Sequence, residues 1–258
     1  MLGAVKALVL DFDGVIADSA REAFHVACET YSELFQPKRL PTLSSKALYA
    51  AFVALMPLGN RAEDYAVALR ALEADLALTD QATYAAFFAA QDPAELRRFH
   101  KRFYEVRARF AREQPAAWGR LLPPYPEVIA LLQRRAGQVR FAIATSKDRH
   151  SVRALLRDYG IEQLFPEDCV LDKETGVSKA SHLSVLQERL GVAFEEMTFL
   201  DDKVSHLDSV APLQVRCALA VWGYNGPREH ALAQQSGYLL CRLEDMEEQL
   251  FERRAAAT

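Results

Sequence analysis

The sequence predicts an α/β protein, a doubly wound parallel sheet interrupted by an all-helical insert. Three observations carry this. Short apolar runs alternate with helical segments through residues 121–258, the pattern of parallel strands joined by crossover helices. One further run, residues 5–10 (VKALVL), stands apart at the start and ends in Asp11-Phe12-Asp13-Gly14. Between them, residues 19–120 lack strand signals and are rich in alanine and leucine at helical spacing. The expected domains are therefore 1–18 with 121–258 as one α/β core, and 19–120 as a helical insert between its first and second strands. At 258 residues, half of them hydrophobic, the chain has material for a core and a substantial insert.

Residues 5–10 read as a buried strand because they are apolar and mostly β-favouring, with a loop signal directly after. In the insert, Pro41, the stretch from Pro57 to Asn60, Thr79-Asp80, Asp92-Pro93 and Pro115 mark off about five helices. Asp92 suits an N-cap, with Pro93 at the first helical position. Leu96, Phe99, Phe103, Val106 and Phe110 recur at steps of three and four, a single apolar stripe. Pro123-Pro124-Tyr125-Pro126 makes a stiff connector. Beyond it the pattern gives a helix over 127–135, a strand over 139–144, and a helix over 148–159 ended by Gly160. A short strand around 169–171 and a helix over 178–190 stopped by Gly191 follow. A strand over 197–200, a short helix, a strand over 215–221 and an amphipathic helix over 243–253 complete the core, with residues 255–258 frayed.

Charge and composition narrow the function. Lysine and arginine number 31 against 35 aspartate and glutamate, a net charge of −4, which speaks against a field that grips nucleic acid. Arg98, Arg102, Arg109 and Arg112 recur on one helical face, but Glu105 sits among them, as on an ordinary solvated face. No apolar run approaches the roughly 18 residues that cross a bilayer. Asp11 and Asp13 follow the first apolar residues too closely for a secretory signal. Cys28, Cys169, Cys217 and Cys241 are far apart and form no metal-ligand spacing. They read as small buried hydrophobes of a reducing compartment, the cytoplasm. Nothing in the sequence fixes an oligomeric state.

In open α/β sheets, ligands bind beyond the carboxyl ends of the strands, and here those ends are polar. Asp11 and Asp13 lie two apart on an extended segment, so both face one cleft. Two carboxylates there repel unless a cation intervenes, and Gly14 permits a sharp turn. Thr145-Ser146-Lys147 offers hydroxyls and a helix N-terminus suited to phosphate. Lys179 opens a helix, with Lys173 as a competing candidate, and Asp201-Asp202 closes a strand. Taken singly, each is equally a turn, a helix cap or a solvated lysine. A calcium-binding EF-hand loop fails at Val15, where an oxygen ligand is needed.

Taken in order, LVLDFDGVIADS (8–19), FAIATSKD (141–148), Lys179 and MTFLDDK (197–203) resemble the motifs of the haloacid dehalogenase (HAD) superfamily. The resemblance covers residues 5–18 and 121–222. It implies a Rossmann-like core with the helical insert as a C1 cap, a mobile lid, as in the branch of phosphoglycolate phosphatase and β-phosphoglucomutase. It further implies that Asp11 attacks phosphorus to form an aspartyl-phosphate. Asp13 would protonate the leaving oxygen and then activate water. Mg²⁺ would be held by Asp11, Asp202 and the Asp13 carbonyl, with Asp201 as a further ligand or a supporting group. Thr145, with Ser146 and Gly14, would cradle the phosphoryl oxygens, and Lys179 would neutralise charge.

An acid at Asp13 favours phosphate esters, because attack on carbon needs no proton donor there. Two departures stand out. His206 occupies the place where the family often carries a second acid, with Asp208 two residues further on, and a hard cation would pass over a histidine. The prolines that commonly follow the lysine are replaced by Ala180, Ser181 and His182. The implied function is a Mg²⁺-dependent hydrolase of a small phosphorylated metabolite. A phosphomutase, a phosphonatase or a non-catalytic phosphate-binding module are the alternatives, the last disfavoured by the paired aspartates. In the insert, the turn Met56-Pro57-Leu58-Gly59-Asn60-Arg61 should project Arg61 as a fork for an anionic leaving group, Gly59 and Asn60 tolerating unusual backbone angles. The plainer alternative is that Arg61 starts a helix at the surface.

Overall fold

A computed structural model describes residues 5–59, 61–172, 175–176 and 178–251. Asn60, Lys173 and the expected frayed tail at 255–258 lie outside these. The chain folds into two compact units, Met1–Asp18 with Pro124–Thr258, and Ser19–Pro123.

The first unit holds six parallel strands in the order β3-β2-β1-β4-β5-β6. They are β1 (Ala7–Leu10), β2 (Arg140–Ala144), β3 (Val170–Leu171), β4 (Met197–Asp201), β5 (Arg216–Ala220) and β6 (Leu239–Cys241). The strand made first lies inside the sheet, where Ala7 pairs with Arg140 on one side and with Met197 on the other. All four of its residues are buried, so an all-apolar run is what the position demands. Ala7 and Val9 join a cluster with Leu183, Leu186, Leu207 and Val210. Those side chains come from α9 (Lys179–Leu190) and α10 (Val204–Val210). Leu8 and Leu10 are equally buried and, by strand alternation, face the opposite side. Chain order reverses between β1 and its two neighbours, which places a ligand crevice beyond the carboxyl ends of β1, β2 and β4.

Elements α7 (Pro126–Arg134) and α8 (Arg149–Asp158) fall where the apolar periodicity puts them. The Ser178 hydroxyl caps α9 at one end, and Gly191, in the left-handed region at φ 60°, closes the other. Two elements escaped the sequence reading, α11 (Pro227–Gln235) and β6. A helix with only two buried residues shows almost no apolar stripe, and β6 is three residues long. The last helix, α12 (Met246–Phe251), begins at Met246 rather than 243. Cys169, Cys217 and Cys241 are buried free thiols and Cys28 is half-buried. Burial pushes the Cys217 thiol up to about 12, which leaves it inert.

The second unit has helices and loops but no strand among its described residues. It comprises α1 (Ala20–Phe35), α2 (Ser45–Leu55), α3 (Ala62–Glu73), α4 (Gln81–Ala89), α5 (Pro93–Glu113) and α6 (Pro115–Arg120), with a 3₁₀ turn over Leu40–Thr42. These are six α-helices, not five, because Pro115 opens a separate short helix instead of ending the last one. The Asp92 carboxylate caps α5 by accepting from the Ala94 amide at 2.8 Å. The α5 stripe is buried as its spacing requires, and Arg102 and Arg109 on that helix pair with Glu33 and Glu29 of α1 at 2.6 Å. Inside the unit, Glu22 is fully buried, gripped by both ends of the Arg107 guanidinium at 2.7 Å and by the Trp118 indole N–H at 3.2 Å. No described helix is long and apolar enough to cross a membrane.

Candidate active site

Asp11 is the first residue beyond β1, and its amide still donates to the Leu200 carbonyl of β4. That bond fixes the main chain, and the side chain turns into the crevice, where the Lys179 Nζ lies 2.9 Å from Oδ1. Lys179 is itself buried, donates to the Ala144 carbonyl at 2.6 Å and approaches Asp201 Oδ2 at 3.2 Å. One ammonium thus ties together the ends of β1, β2 and β4. Burial pushes the Asp11 carboxyl above its ordinary range, and the Asp201 charge adds to this against the pull of Lys179. Burial works against the Lys179 charge, but Asp11 and Asp201 outweigh it and hold the lysine protonated.

Thr145 follows β2 and is buried, and its hydroxyl accepts from the Lys147 amide at 3.1 Å. Ser146 is exposed. The expected helix N-terminus follows as α8 and carries a carboxylate cap, since Asp148 accepts from the Ser151 amide at 2.8 Å. Lys147, quoted in the motif but given no role from sequence, has a side chain only 1 % exposed. Its Nζ lies 3.0 and 3.3 Å from the two oxygens of Asp13. The two aspartates of the first motif are therefore held by two different lysines.

Asp201 and Asp202 are both buried but diverge. Asp201 accepts from the Lys203 amide at 2.9 Å and meets the His206 Nδ1 at 3.0 Å. Burial opposes its ionisation, but Lys179 and His206 outweigh that and hold it well below the usual carboxylate range. Asp202 points elsewhere, its Oδ2 accepting from the Tyr224 amide at 2.7 Å. It lies flat against two glycines. A Cβ on Gly14 would come 2.6 Å from Asp202 Oδ2, and one on Gly223 would come 2.3 Å from Asp202 Cβ. Gly14 also sits at φ +80°, so space and backbone both require glycine there. Burial pushes Asp202 up to about 7, and the charges on Asp201 and Asp11 add to it while Lys203 opposes.

Oxygen donors of Asp11 and Asp201 lie within 4.8 Å of each other and of a His206 nitrogen. A crowd of buried carboxylates, one raised by its neighbours' charge, is a donor set that fits a hard divalent cation such as Mg²⁺. The histidine is tied to Asp201, which, with burial opposing, raises its own pKa and favours the imidazolium, a poor ligand form.

Asp11, Asp13, Thr145, Lys179, Asp201, Asp202 and Gly14 all belong to the crevice end of the sheet. Arg61 belongs to the helical unit and precedes α3, where its amide and Nε donate to Asp64 Oδ2 at 2.9 and 3.2 Å. Its side chain is 74 % exposed. Gly59 is required by packing, not by unusual angles: a Cβ would lie 2.5 Å from the Tyr84 hydroxyl, and its φ is not positive. Residues missed from sequence are Lys147, Gly223 and Tyr224. Only the glycine of the run VWGYNG, just past a strand, hinted at the last two.

Comparison with known proteins bears on the fold. The fold matches a protein assigned from sequence as a phosphoglycolate phosphatase from Haemophilus somnus, with TM-score 0.64, 18% identity, and coverage of 95% of this chain and 98% of that one. A Lactobacillus delbrueckii protein provisionally assigned the same activity matches with TM-score 0.72 and 16% identity, over 97% and 100% of the two chains. Over 97 residues, 36% of this chain, the sequence is 31% identical to the tyrosine-protein kinase PtkA of Mycobacterium tuberculosis. That stretch is 33% of the kinase, so the match spans about a third of the length of the curated relatives. The model of haloacid dehalogenase-like hydrolases matches residues 5–211, a span that runs from β1 through the helical unit to the end of α10. The chain belongs to the haloacid dehalogenase-like hydrolases.

Proposed function

We propose that the protein is a Mg²⁺-dependent phosphomonoester hydrolase that acts on a small phosphorylated metabolite through an aspartyl-phosphate on Asp11. The observation that carries this reading is the division of labour between the two aspartates of the first motif. Asp11 is buried against Lys179, while the Asp13 side chain is 32 % exposed and held by Lys147. A nucleophile needs a fixed position, and a proton carrier needs access to the leaving group and to water.

In this reading an Asp11 oxygen attacks phosphorus and the ester P–O bond breaks. Asp13 gives its proton to the departing oxygen. The resulting Asp13 carboxylate then takes a proton from water, which attacks the phosphorus of the acyl-phosphate and releases phosphate with Asp11 restored. Lys179 offsets negative charge on Asp11 and the phosphoryl group, and Thr145 hydrogen-bonds the phosphoryl oxygens. Asp11, Asp202 and the Asp13 carbonyl would hold Mg²⁺, with Asp201 supporting. The bound cation supplies the positive charge that lets these anions sit beside a phosphate. The helical unit serves as a cap, with Arg61 as a candidate contact for an anionic substrate. The buried free thiols are in keeping with a reducing compartment such as the cytoplasm.

Phosphate release from a panel of phosphomonoesters, with Mg²⁺ and with chelator, tests the reading. Asp11→Asn should abolish turnover with circular dichroism unchanged, since an amide cannot form the acyl-phosphate. Asp13→Asn should slow it by about 10²–10⁴-fold. Turnover by Asp11→Asn at the wild-type rate would end the proposal.

A further inference from the structure

We propose that Lys147 is the positioning residue for the general acid: it sets the direction of the Asp13 carboxylate and thereby governs proton delivery to the leaving group. The inference rests on the phosphatase reading above and adds a residue to it. Lys147 reaches Asp13 across 134 positions of sequence, from the loop after β2 to the loop after β1. Its side chain is almost wholly buried, and its Nζ straddles both carboxylate oxygens at 3.0 and 3.3 Å. A contact shared by both oxygens, made by a cation that is itself held in place, restrains where the carboxylate sits.

The lysine itself has little freedom. Its amide is tied to the Thr145 hydroxyl at 3.1 Å, and its Nζ lies 5.9 Å from the centre of the Phe12 ring. That ring stacks on Tyr159 of the segment following α8, with centroids 6.4 Å apart. The same short loop therefore presents a hydroxyl toward the phosphoryl position and an ammonium toward the acid. Asp13 is half-buried on the loop after β1, and without the lysine its carboxylate would sample several rotamers. General-acid catalysis requires a donor within hydrogen-bond reach of the departing oxygen, and a misplacement of about 1 Å costs on the order of 10²-fold. Lys179 does the corresponding work for Asp11, so the two lysines fix nucleophile and acid independently.

The dependence on leaving group separates this role from a merely structural one. The quantity to measure is kcat/KM, which ends at the first irreversible step and excludes the later hydrolysis of the acyl-phosphate. An alkyl phosphate needs its alkoxide protonated, while p-nitrophenyl phosphate expels a stable anion. Lys147→Met should lower kcat/KM for the best alkyl ester of the screen by about 10²-fold and at least tenfold more than for p-nitrophenyl phosphate. Lys147→Arg, which keeps a cation, should recover part of the alkyl ester rate. In an Asp13→Asn background, Lys147→Met should leave the ratio between the two esters unchanged, since the group it positions is already lost. Equal losses on both esters, or the same change of ratio with and without Asp13, would overturn the inference. Should Lys147→Met fail to fold, the comparison of Lys147→Arg with wild type on the two esters decides alone. A wild-type protein inactive on every ester would instead remove the phosphatase reading itself.

Discussion

Adjacent aspartates can carry opposite burdens. Asp201 shares Lys179 and His206 and stays ionised, whereas Asp202 is pressed against Gly14 and Gly223 and pushed up to about 7. A carboxyl whose folded pKa is raised favours folding below its ordinary value near 3.8 and loses that contribution as pH climbs through about 7. Binding a cation needs the carboxylate, so if Asp202 holds Mg²⁺ as proposed, the metal must compete with a proton there below that point. The rise in Tm on adding Mg²⁺ should therefore grow from pH 5 to pH 8, and Asp202→Asn should flatten it. A rise that is equal at both pH values would refute the assignment. Calorimetry should also show Asp202→Ala weakening Mg²⁺ more than Asp201→Ala. The sequence displayed Asp11, Asp13, Lys179 and the Asp201-Asp202 pair because each sits at a strand end or helix start. It hid what Lys147 and His206 touch. Lys147 meets a residue 134 positions away, and the imidazole of His206 reaches back to Asp201 across the first turn of α10.

Two glycines show how the same residue serves elements in different ways. Gly191 ends α9 in the left-handed region with only the Arg140 side chain near, 3.8 Å from where a Cβ would stand. Gly191→Ala should cost about 1 kcal/mol of stability, read as a lower urea midpoint, and leave turnover intact. Gly223 lies in the loop after β5 where a Cβ would collide with Asp202. Gly223→Ala should depress Mg²⁺ affinity and activity well beyond any loss of stability. If both variants lose stability and activity in the same proportion, the loop after β5 has no special part in the site. Periodicity located most elements, since α5, α7 and α8 each bury one clear stripe. It passed over α11, which buries only Glu229 and Ala233, because a helix held mainly by its ends and by a neighbouring strand writes no stripe into the sequence.

At the scale of the molecule, the proposed reading gives chemistry and selectivity to different units. The candidate reacting groups lie at the crevice end of the sheet, while Arg61 belongs to the helical unit and is steadied by Asp64, whose other oxygen accepts from the Tyr84 hydroxyl at 2.6 Å. If Arg61 reads the substrate, Arg61→Ala should raise KM for the best metabolite and spare p-nitrophenyl phosphate, and equal effects on both esters would leave it a surface residue. The disappearance of strand signals after residue 18 marked a helical stretch in the sequence, but the geometry of either unit was not legible there. The buried Glu22 in α1 and Trp118 in α6 join residues 96 positions apart, near the two ends of the helical unit. In the sheet unit, Ala17 bridges to Pro124 and the Tyr125 amide donates to Ile16. The chain thus leaves and returns at nearly one point. An insert of that kind costs little in connectivity: once folded, it converts a loop of more than a hundred residues between β1 and β2 into a short one. Both neighbours of β1, β2 and β4, come later in the chain than the helices of that insert. Closing the helical unit before the sheet forms would shorten the search that a central parallel strand must otherwise make, and the bond between Glu22 and Trp118 would hold that closure.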